Sequence, residues 1–149
     1  SAEVLQTTDF AAFRSPNDLP LAMTAHIVFS AYDDLPATCS TRMIEVIRRD
    51  IGFSGLLMSD DLNMQALSGT LAERAAQSVA AGCDIALHCK GDLAEMQAVA
   101  GAAGRMSVAA EVRGVAALAQ RRMPDPVDIA ALRAEHSALL GRTQTAGHV

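Results

Sequence analysis

The sequence is poor in aromatic residues: its 149 residues include no tryptophan, one tyrosine and four phenylalanines. Basic residues are also in the minority, with 12 Lys and Arg against 17 Asp and Glu, which gives a formal net charge of −5. Nucleic-acid-binding surfaces rely on clustered positive charge and on aromatic side chains that stack on bases. A nucleic-acid partner is therefore not expected.

Cysteine is sparse as well, and Cys39, Cys83 and Cys89 form an odd set without a CxxC pair. This usage is typical of reduced thiols inside cells rather than of a disulfide framework. No apolar run approaches the roughly 20 residues of a membrane-spanning helix, and the first residues do not resemble a signal peptide. These absences predict a cytoplasmic protein without a membrane partner.

Apolar residues, by contrast, make up half of the chain, which is enough for a substantial core. Apolar runs predict buried strands at residues 19–29, 55–59 and 83–89. Helical patterns follow at residues 41–51, 71–81, 93–103, 107–122 and 128–140. Ser40, Thr70 paired with Glu73, and Asp92 are predicted N-terminal caps, and Gly82 is a predicted helix end. The polar stretch 141–149 predicts a flexible tail.

Strands and helices alternate at a spacing of roughly 30 residues, which is typical of βα units in a parallel sheet. Both the closed (β/α)8 barrel and the open doubly wound sheet have this period. Neither GxGxxG nor GxxxxGK[ST] occurs in the sequence, which disfavours a nucleotide-binding sheet. A complete barrel needs about 250 residues, so three βα units would form only part of one.

Polar residues follow each predicted strand, where parallel α/β folds place their active sites. The first strand delivers His26, Asp60 and Asp61 follow the second, and the third delivers His88. An acidic pair after a strand also serves as a turn or cap, and a strand-end histidine is also satisfied by nearby backbone. Position alone leaves both interpretations open.

Three stretches carry a resemblance to a known family: AMTAHIVFSAYDDLPAT, IGFSGLLMSDDLNMQAL and AAGCDIALHC, in this order. Together they resemble the last three barrel strands of the family 3 glycoside hydrolases that act as β-N-acetylglucosaminidases in peptidoglycan recycling. The resemblance implies an α/β fold: the C-terminal part of a (β/α)8 TIM barrel, about three βα units, followed by additional C-terminal helices. Residues 1–149 would then be a partial catalytic barrel, cut just after the acid/base loop.

The resemblance also implies an activity and a set of site residues. The family releases terminal β-linked N-acetylglucosamine from peptidoglycan fragments with retention, through a covalent glycosyl–enzyme on the Asp that matches Asp60. Asp61, His26 and Met64 are the expected supporting or substrate-binding residues. The partner is a small carbohydrate, and neither a cofactor nor a metal ion is implied.

Two family elements do not occur in this sequence: the Lys-His-(Phe/Ile)-Pro-Gly-His-Gly segment and the Asp-Ser-His loop that supplies the general acid/base. Loss of general acid catalysis costs on the order of 10²–10⁴-fold in rate. We therefore expect the chain to be inactive alone. We also expect exposed barrel edges to favour self-association.

Two alternatives remain at this stage. His26, Asp60, Asp61 and His88 are candidate ligands of a metal-dependent hydrolase, although no HxH or HExxH pair accompanies them. The chain also fits a non-catalytic barrel remnant or interaction module, because the acid/base loop is missing.

Overall fold

The structure, a computed structural model, describes the backbone of residues 1–145 and the side chains of residues 1–141. Its helices and strands are α1 Ala2–Thr7, α2 Ala11–Arg14, β1 Leu21–Met23, α3 Thr41–Glu45, β2 Leu56–Met58, α4 Leu71–Ala81, α5 Leu93–Ala103, α6 Val108–Ala119 and α7 Ile129–Thr145. A 3₁₀ turn at Ala37–Cys39 precedes α3, and a π-helical segment at Val46–Asp50 continues it. This order confirms the predicted α/β class.

The sheet consists of β1 and β2, which pair in parallel with Ala22 opposite Leu57. Leu57 is buried beneath α3 and α4, where it packs with Ile44, Phe53 and Ala81. On the other face of β1, Leu21 and Met23 are about half exposed. One face of the sheet is therefore covered by helices, and the apolar side chains of β1 on the opposite face are open.

The predicted third strand, residues 83–89, is wrong as a continuous strand, because only one parallel bridge joins Met58 to Ile85. Side-chain oxygens replace backbone acceptors on either side of that bridge. Asp84 Oδ2 accepts the Leu57 amide at 2.9 Å, and Ser59 Oγ accepts the Leu87 amide at 2.8 Å. The segment thus runs beside β2 without a regular ladder.

The first strand and the first long helix are also shorter than predicted. Within residues 19–29, the ladder covers β1 alone, and the Thr24 amide extends it with a hydrogen bond to Met58 O at 2.9 Å. The helix predicted at residues 41–51 changes from α to π geometry at Val46. The π segment contains Arg48, whose guanidinium binds the Asp84 carboxylate; single-turn π segments of this kind are rare within α-helices.

All three predicted N-terminal caps are confirmed. Ser40 accepts the Met43 amide, Asp92 accepts the Glu95 amide, and Thr70 forms a reciprocal capping box with Glu73. Each cap satisfies a backbone N–H that the first helical turn leaves without an internal partner. The predicted end of α4 at Gly82 is confirmed too, because this residue has a φ of 116°, which favours glycine.

Asp84 joins four parts of the fold from a side chain that is only 4 % exposed. Arg113 of α6 binds its two carboxylate oxygens at 3.0 and 2.7 Å, and Arg48 binds Oδ2 at 2.8 Å. Arg48 also donates to the carbonyl oxygens of Phe53 and Gly55. We call these three charged side chains the Asp84 clamp, because they hold the π segment, β2, the 83–88 segment and α6 together.

The described C-terminal helices are exposed over much of their length. On α6, Val108, Val112, Val115 and Leu118 all face solvent. Helix α7 continues to Thr145, so it includes five residues of the stretch predicted as a tail, and residues 146–149 lie outside the described residues. Among the described helices, none is long and apolar enough to cross a bilayer.

Candidate active site

Asp60 lies two residues beyond β2, at the carboxyl end of the sheet. Its backbone N–H donates to Thr24 Oγ1 at 3.2 Å, and its Oδ1 accepts the Asp61 amide at 2.8 Å. The latter is the one hydrogen bond that its carboxylate makes among the described residues. One carboxylate oxygen is thus held by the turn, and Oδ2 has no hydrogen-bond partner among the described residues.

The Asp61 carboxylate has a different environment, because it accepts hydrogen bonds from two backbone amides. Its Oδ1 lies 3.1 Å from the amide nitrogens of both Asn63 and Cys89. The side chain therefore joins its own loop to the end of the 83–88 segment. This geometry favours a loop-supporting role for Asp61 over attack on a substrate.

His26 lies beside this turn, and both of its ring nitrogens are engaged. Nδ1 is 2.8 Å from Thr38 Oγ1, and Nε2 is 2.9 Å from the Asp61 carbonyl oxygen. A ring with both nitrogens bound within the protein has no free nitrogen for a sugar hydroxyl. The structure therefore favours the supporting role among the two that the sequence left open.

Met64 lies on the same loop, and its side chain is partly exposed. Its amide donates to the Asp61 carbonyl oxygen at 3.1 Å, and its carbonyl oxygen accepts from Arg74 Nη1 at 3.1 Å. Arg74 also donates to the carbonyl oxygens of Leu62 and Gly69. The first helical turn of α4 thus braces the loop that carries Asp60 and Met64.

His88 lies elsewhere, with a side chain 5 % exposed against a cavity of about 620 Å³ that α5 and the start of α6 also line. Its Nε2 is 3.4 Å from Glu95 Oε2, and neither ring nitrogen has a hydrogen-bond partner among the described residues. Asp60, Asp61 and His26 do not line this cavity. Across the described residues, no group of three His, Cys, Asp or Glu side chains is arranged to hold a metal ion.

Three hydroxyl residues contribute to the site: Thr24 and Ser59 were placed at strand ends by the sequence without a role, and Thr38 was not expected there. Thr24 and Thr38 join the Asp60 amide to the His26 ring, and Ser59 binds the Leu87 amide. Buried threonines and serines in apolar stretches give no distinctive pattern, because their partners lie 12 or more residues away. The one available signal was that polar residues in a buried segment need hydrogen-bond partners.

Burial also affects the ionisation of the nearby Cys83 thiol. It raises the pKa of Cys83 to about 12, so that its thiolate is scarce at neutral pH. The Cys83 Sγ lies 3.7 Å from the Thr38 carbonyl oxygen, within the same core as β2. Because the thiolate is the nucleophilic form, Cys83 has a structural rather than a chemical role here.

Comparison with known proteins finds a glycosyl hydrolase family profile that matches the chain and relatives that are beta-hexosaminidases. The profile of the glycosyl hydrolase family 3 N terminal domain matches residues 1–120. The beta-hexosaminidase of Photobacterium profundum is 38 % identical over 107 residues, which is 68 % of this chain and 32 % of that protein. The beta-hexosaminidase of Neisseria meningitidis serogroup B is 43 % identical over 94 residues, 60 % of this chain and 26 % of that protein.

Among solved structures, NagZ from Neisseria gonorrhoeae in complex with N-trifluoroacetyl-D-glucosamine is 34 % identical, with a TM-score of 0.55. The match covers 88 % of this chain and 34 % of that one. The chain therefore spans about a quarter to a third of the length of the relatives it matches. With most of its residues matched by the family profile, the chain belongs to glycosyl hydrolase family 3.

Proposed function

We propose that this chain carries the nucleophile of a retaining β-N-acetylhexosaminidase, and that Asp60 is that nucleophile. The observation that carries the proposal is the Asp60 carboxylate at the carboxyl end of β2, with Oδ1 held by the Asp61 amide and Oδ2 uncommitted. A retaining glycosidase needs a carboxylate that attacks the anomeric carbon and later leaves it. Asp61 Oδ1 accepts two backbone amides and both His26 ring nitrogens are engaged, so the Asp60 carboxylate, with a single hydrogen bond among the described residues, is the proposed attacking group.

In the proposed first step, an Asp60 oxygen forms a bond to the anomeric carbon while the bond to the leaving oxygen breaks. A general acid gives that oxygen a proton, and water later hydrolyses the glycosyl–enzyme, which frees Asp60 again. The acid belongs to the loop that the family places outside these residues. Within this chain, Asp61 orients the turn and Met64 contributes an apolar edge beside the sugar.

The proposed substrate is a terminal β-linked N-acetylglucosamine on a peptidoglycan fragment. Support for the sugar comes from the relatives, which are beta-hexosaminidases, and from the NagZ complex with N-trifluoroacetyl-D-glucosamine. The peptidoglycan part rests on the sequence resemblance. Because the chain covers a third or less of these relatives, contacts to the rest of the substrate lie on the part it does not contain.

A second candidate is a non-catalytic barrel remnant, which the missing acid/base loop favours. The two candidates are separated by an assay of the chain alone and of a chimaera. In the chimaera, the upstream part of a full-length beta-hexosaminidase precedes this chain. Both proteins are given a chromogenic β-N-acetylglucosaminide.

We expect the chain alone to be slower than the chimaera by at least about 10²–10⁴-fold, because it has no general acid. Equal turnover by the two proteins would contradict this expectation and would place an acid within the 149 residues. If the chimaera folds but is also inactive, the non-catalytic remnant is the better description.

Self-association is the second expectation for the chain alone. The exposed apolar stripe Val108, Val112, Val115 and Leu118 and the open face of β1 form surfaces that a soluble monomer rarely leaves uncovered. We expect sedimentation velocity to show concentration-dependent association, which Val112→Lys with Val115→Lys reduces. The matched control, Ala76→Lys with Ala80→Lys, adds the same charge to exposed positions of α4. A monomer at all concentrations would contradict the expectation.

A further inference from the structure

Three side chains connect the amide of Asp60 to the carbonyl of Asp61. The Asp60 N–H lies 3.2 Å from Thr24 Oγ1, and Thr24 Oγ1 lies 2.8 Å from Thr38 Oγ1. Thr38 Oγ1 lies 2.8 Å from His26 Nδ1, and His26 Nε2 lies 2.9 Å from the Asp61 carbonyl oxygen. Four contacts thus form a closed path that starts and ends on the same turn.

For a neutral His26 ring, the chemistry of the two ends sets the direction of every bond. A carbonyl oxygen only accepts, so His26 Nε2 must carry the proton that it donates to Asp61. In the neutral ring Nδ1 is then an acceptor, and Thr38 donates to it. Because Thr38 has a single hydroxyl proton, Thr24 must donate to Thr38, and the Thr24 oxygen accepts the Asp60 amide.

The two threonine hydroxyls are buried, so their hydrogen bonds must be made within the protein. Thr38 is fully buried and Thr24 is nearly so, which leaves water little access to either hydroxyl. The Thr38 hydroxyl also lies near two other acceptors, Thr24 Oγ1 at 2.8 Å and the Ala25 carbonyl oxygen at 3.2 Å, but only His26 Nδ1 would lack a donor if Thr38 turned away. Hydrogen bonds that run in one direction polarise one another, so the path responds as a unit rather than as four separate contacts.

We propose that Thr24, Thr38 and His26 are positioning residues that hold the Asp60–Asp61 backbone through this one-directional hydrogen-bond chain. These hydrogen bonds fix the amide of Asp60 and the carbonyl of Asp61 without using the Asp60 carboxylate. It therefore orients the side chain and leaves Oδ2 free. Thr38 is central, since it is the link between the strand-end threonine and the ring.

The inference rests on the proposed function, in which Asp60 is the nucleophile. The hydrogen bonds themselves are tested without measuring turnover. NMR of the 149-residue protein labelled with ¹⁵N gives the His26 tautomer and the hydrogen-exchange rate of each amide. The variants are Thr38→Val, which removes the hydroxyl at nearly constant shape, and Thr38→Ser, which keeps it. An inactive chimaera, with these signals intact in the 149-residue protein, would count against Asp60 as the nucleophile and not against the hydrogen-bonded path.

We expect the His26 tautomer with the proton on Nε2. In Thr38→Val, we expect the His26 Nδ1 resonance to move and the protection of the Asp60 amide to fall by at least about tenfold. The Asp60 amide is two hydrogen bonds away from the changed residue, so separate contacts would leave it unchanged. The Ser59 amide, bound to Ile85 O at 2.9 Å, is the internal control and should stay within about twofold.

Thr38→Ser should restore both signals. A proton on Nδ1, an imidazolium at neutral pH, or an unchanged Asp60 protection in Thr38→Val overturns the proposal. If Thr38→Val does not fold, the tautomer of the unmodified protein decides: Nε2–H supports the proposal and Nδ1–H overturns it.

Discussion

Asp60→Asn is expected to lower kcat/KM of the chimaera by at least about 10⁴-fold, the scale on which loss of a covalent nucleophile acts in other enzymes. An amide is a far weaker nucleophile than a carboxylate, yet it has almost the same shape. Its oxygen still accepts the Asp61 amide that Oδ1 now binds at 2.8 Å, so the turn and the fold should persist. The measurement is steady-state hydrolysis of a chromogenic β-N-acetylglucosaminide.

Asp61→Asn is the matched control, since it makes the same chemical change one residue away. The variant keeps an oxygen for the amides of Asn63 and Cys89, and we expect a loss below about 10²-fold, the scale of a misplaced rather than a missing group. Azide should partly restore turnover of Asp60→Ala, whose shorter side chain leaves room for the anion, by forming a bond to the anomeric carbon as the leaving oxygen departs, which gives the α-glycosyl azide. Equal losses in the two asparagine variants would show that the pair acts jointly and that Asp60 has no special role.

Asp84→Asn is expected to lower the free energy of unfolding of the chain by about 3 kcal/mol, because it leaves two arginines around a neutral group. This is at the low end for a broken buried ion pair, since the Arg48 and Arg113 side chains are 20 % and 29 % exposed. Urea unfolding should show a lower midpoint with an unchanged slope. The control is Glu45→Gln at the surface pair with Arg42, where the side chains are 42 % and 61 % exposed and the expected change is below about 1 kcal/mol.

The pH dependence of stability tests the same clamp independently. Burial raises the pKa of Asp84, but the hydrogen bonds from Arg113 and the Leu57 amide and the charges of both arginines lower it more, so that it lies below its ordinary value. A lowered carboxyl pKa contributes stability that is complete above the unfolded value of about 3.9 and disappears as the pH falls through the folded value. The unmodified chain should therefore lose more stability below about pH 4 than the D84N variant does. Parallel pH profiles would contradict the role of the clamp.

Elements with local determinants were predictable from the sequence. The caps at Ser40, Thr70 and Asp92 and the end of α4 at Gly82 depend on residues within one helical turn, and all were confirmed. The α/β alternation followed from the change between apolar runs and helical periodicity, which is also local. The motif GLLMSDDLNM led to the correct family because it is specific and contiguous.

The strand limits were less predictable, because pairing depends on distant partners. An apolar run such as residues 83–89 shows that a segment is buried, but not whether its neighbour accepts backbone or side-chain hydrogen bonds. Here Asp84 and Ser59 provide the oxygens that a regular ladder would take from the backbone. The same distant charge, Asp84, is bound by Arg48 where the helix from Thr41 changes to π geometry.

The sequence by itself determined the fold class, the family, the helix caps and the choice of Asp60 as candidate nucleophile. Only the tertiary structure showed that Asp61 Oδ1 and the His26 ring bind within the protein, separated His88 from them, and revealed Thr38 as the link between Thr24 and the His26 ring. The physical reason is that a hydrogen bond has a direction and a distance of about 3 Å, and side chains 12 to 36 residues apart meet that condition only after the chain has folded.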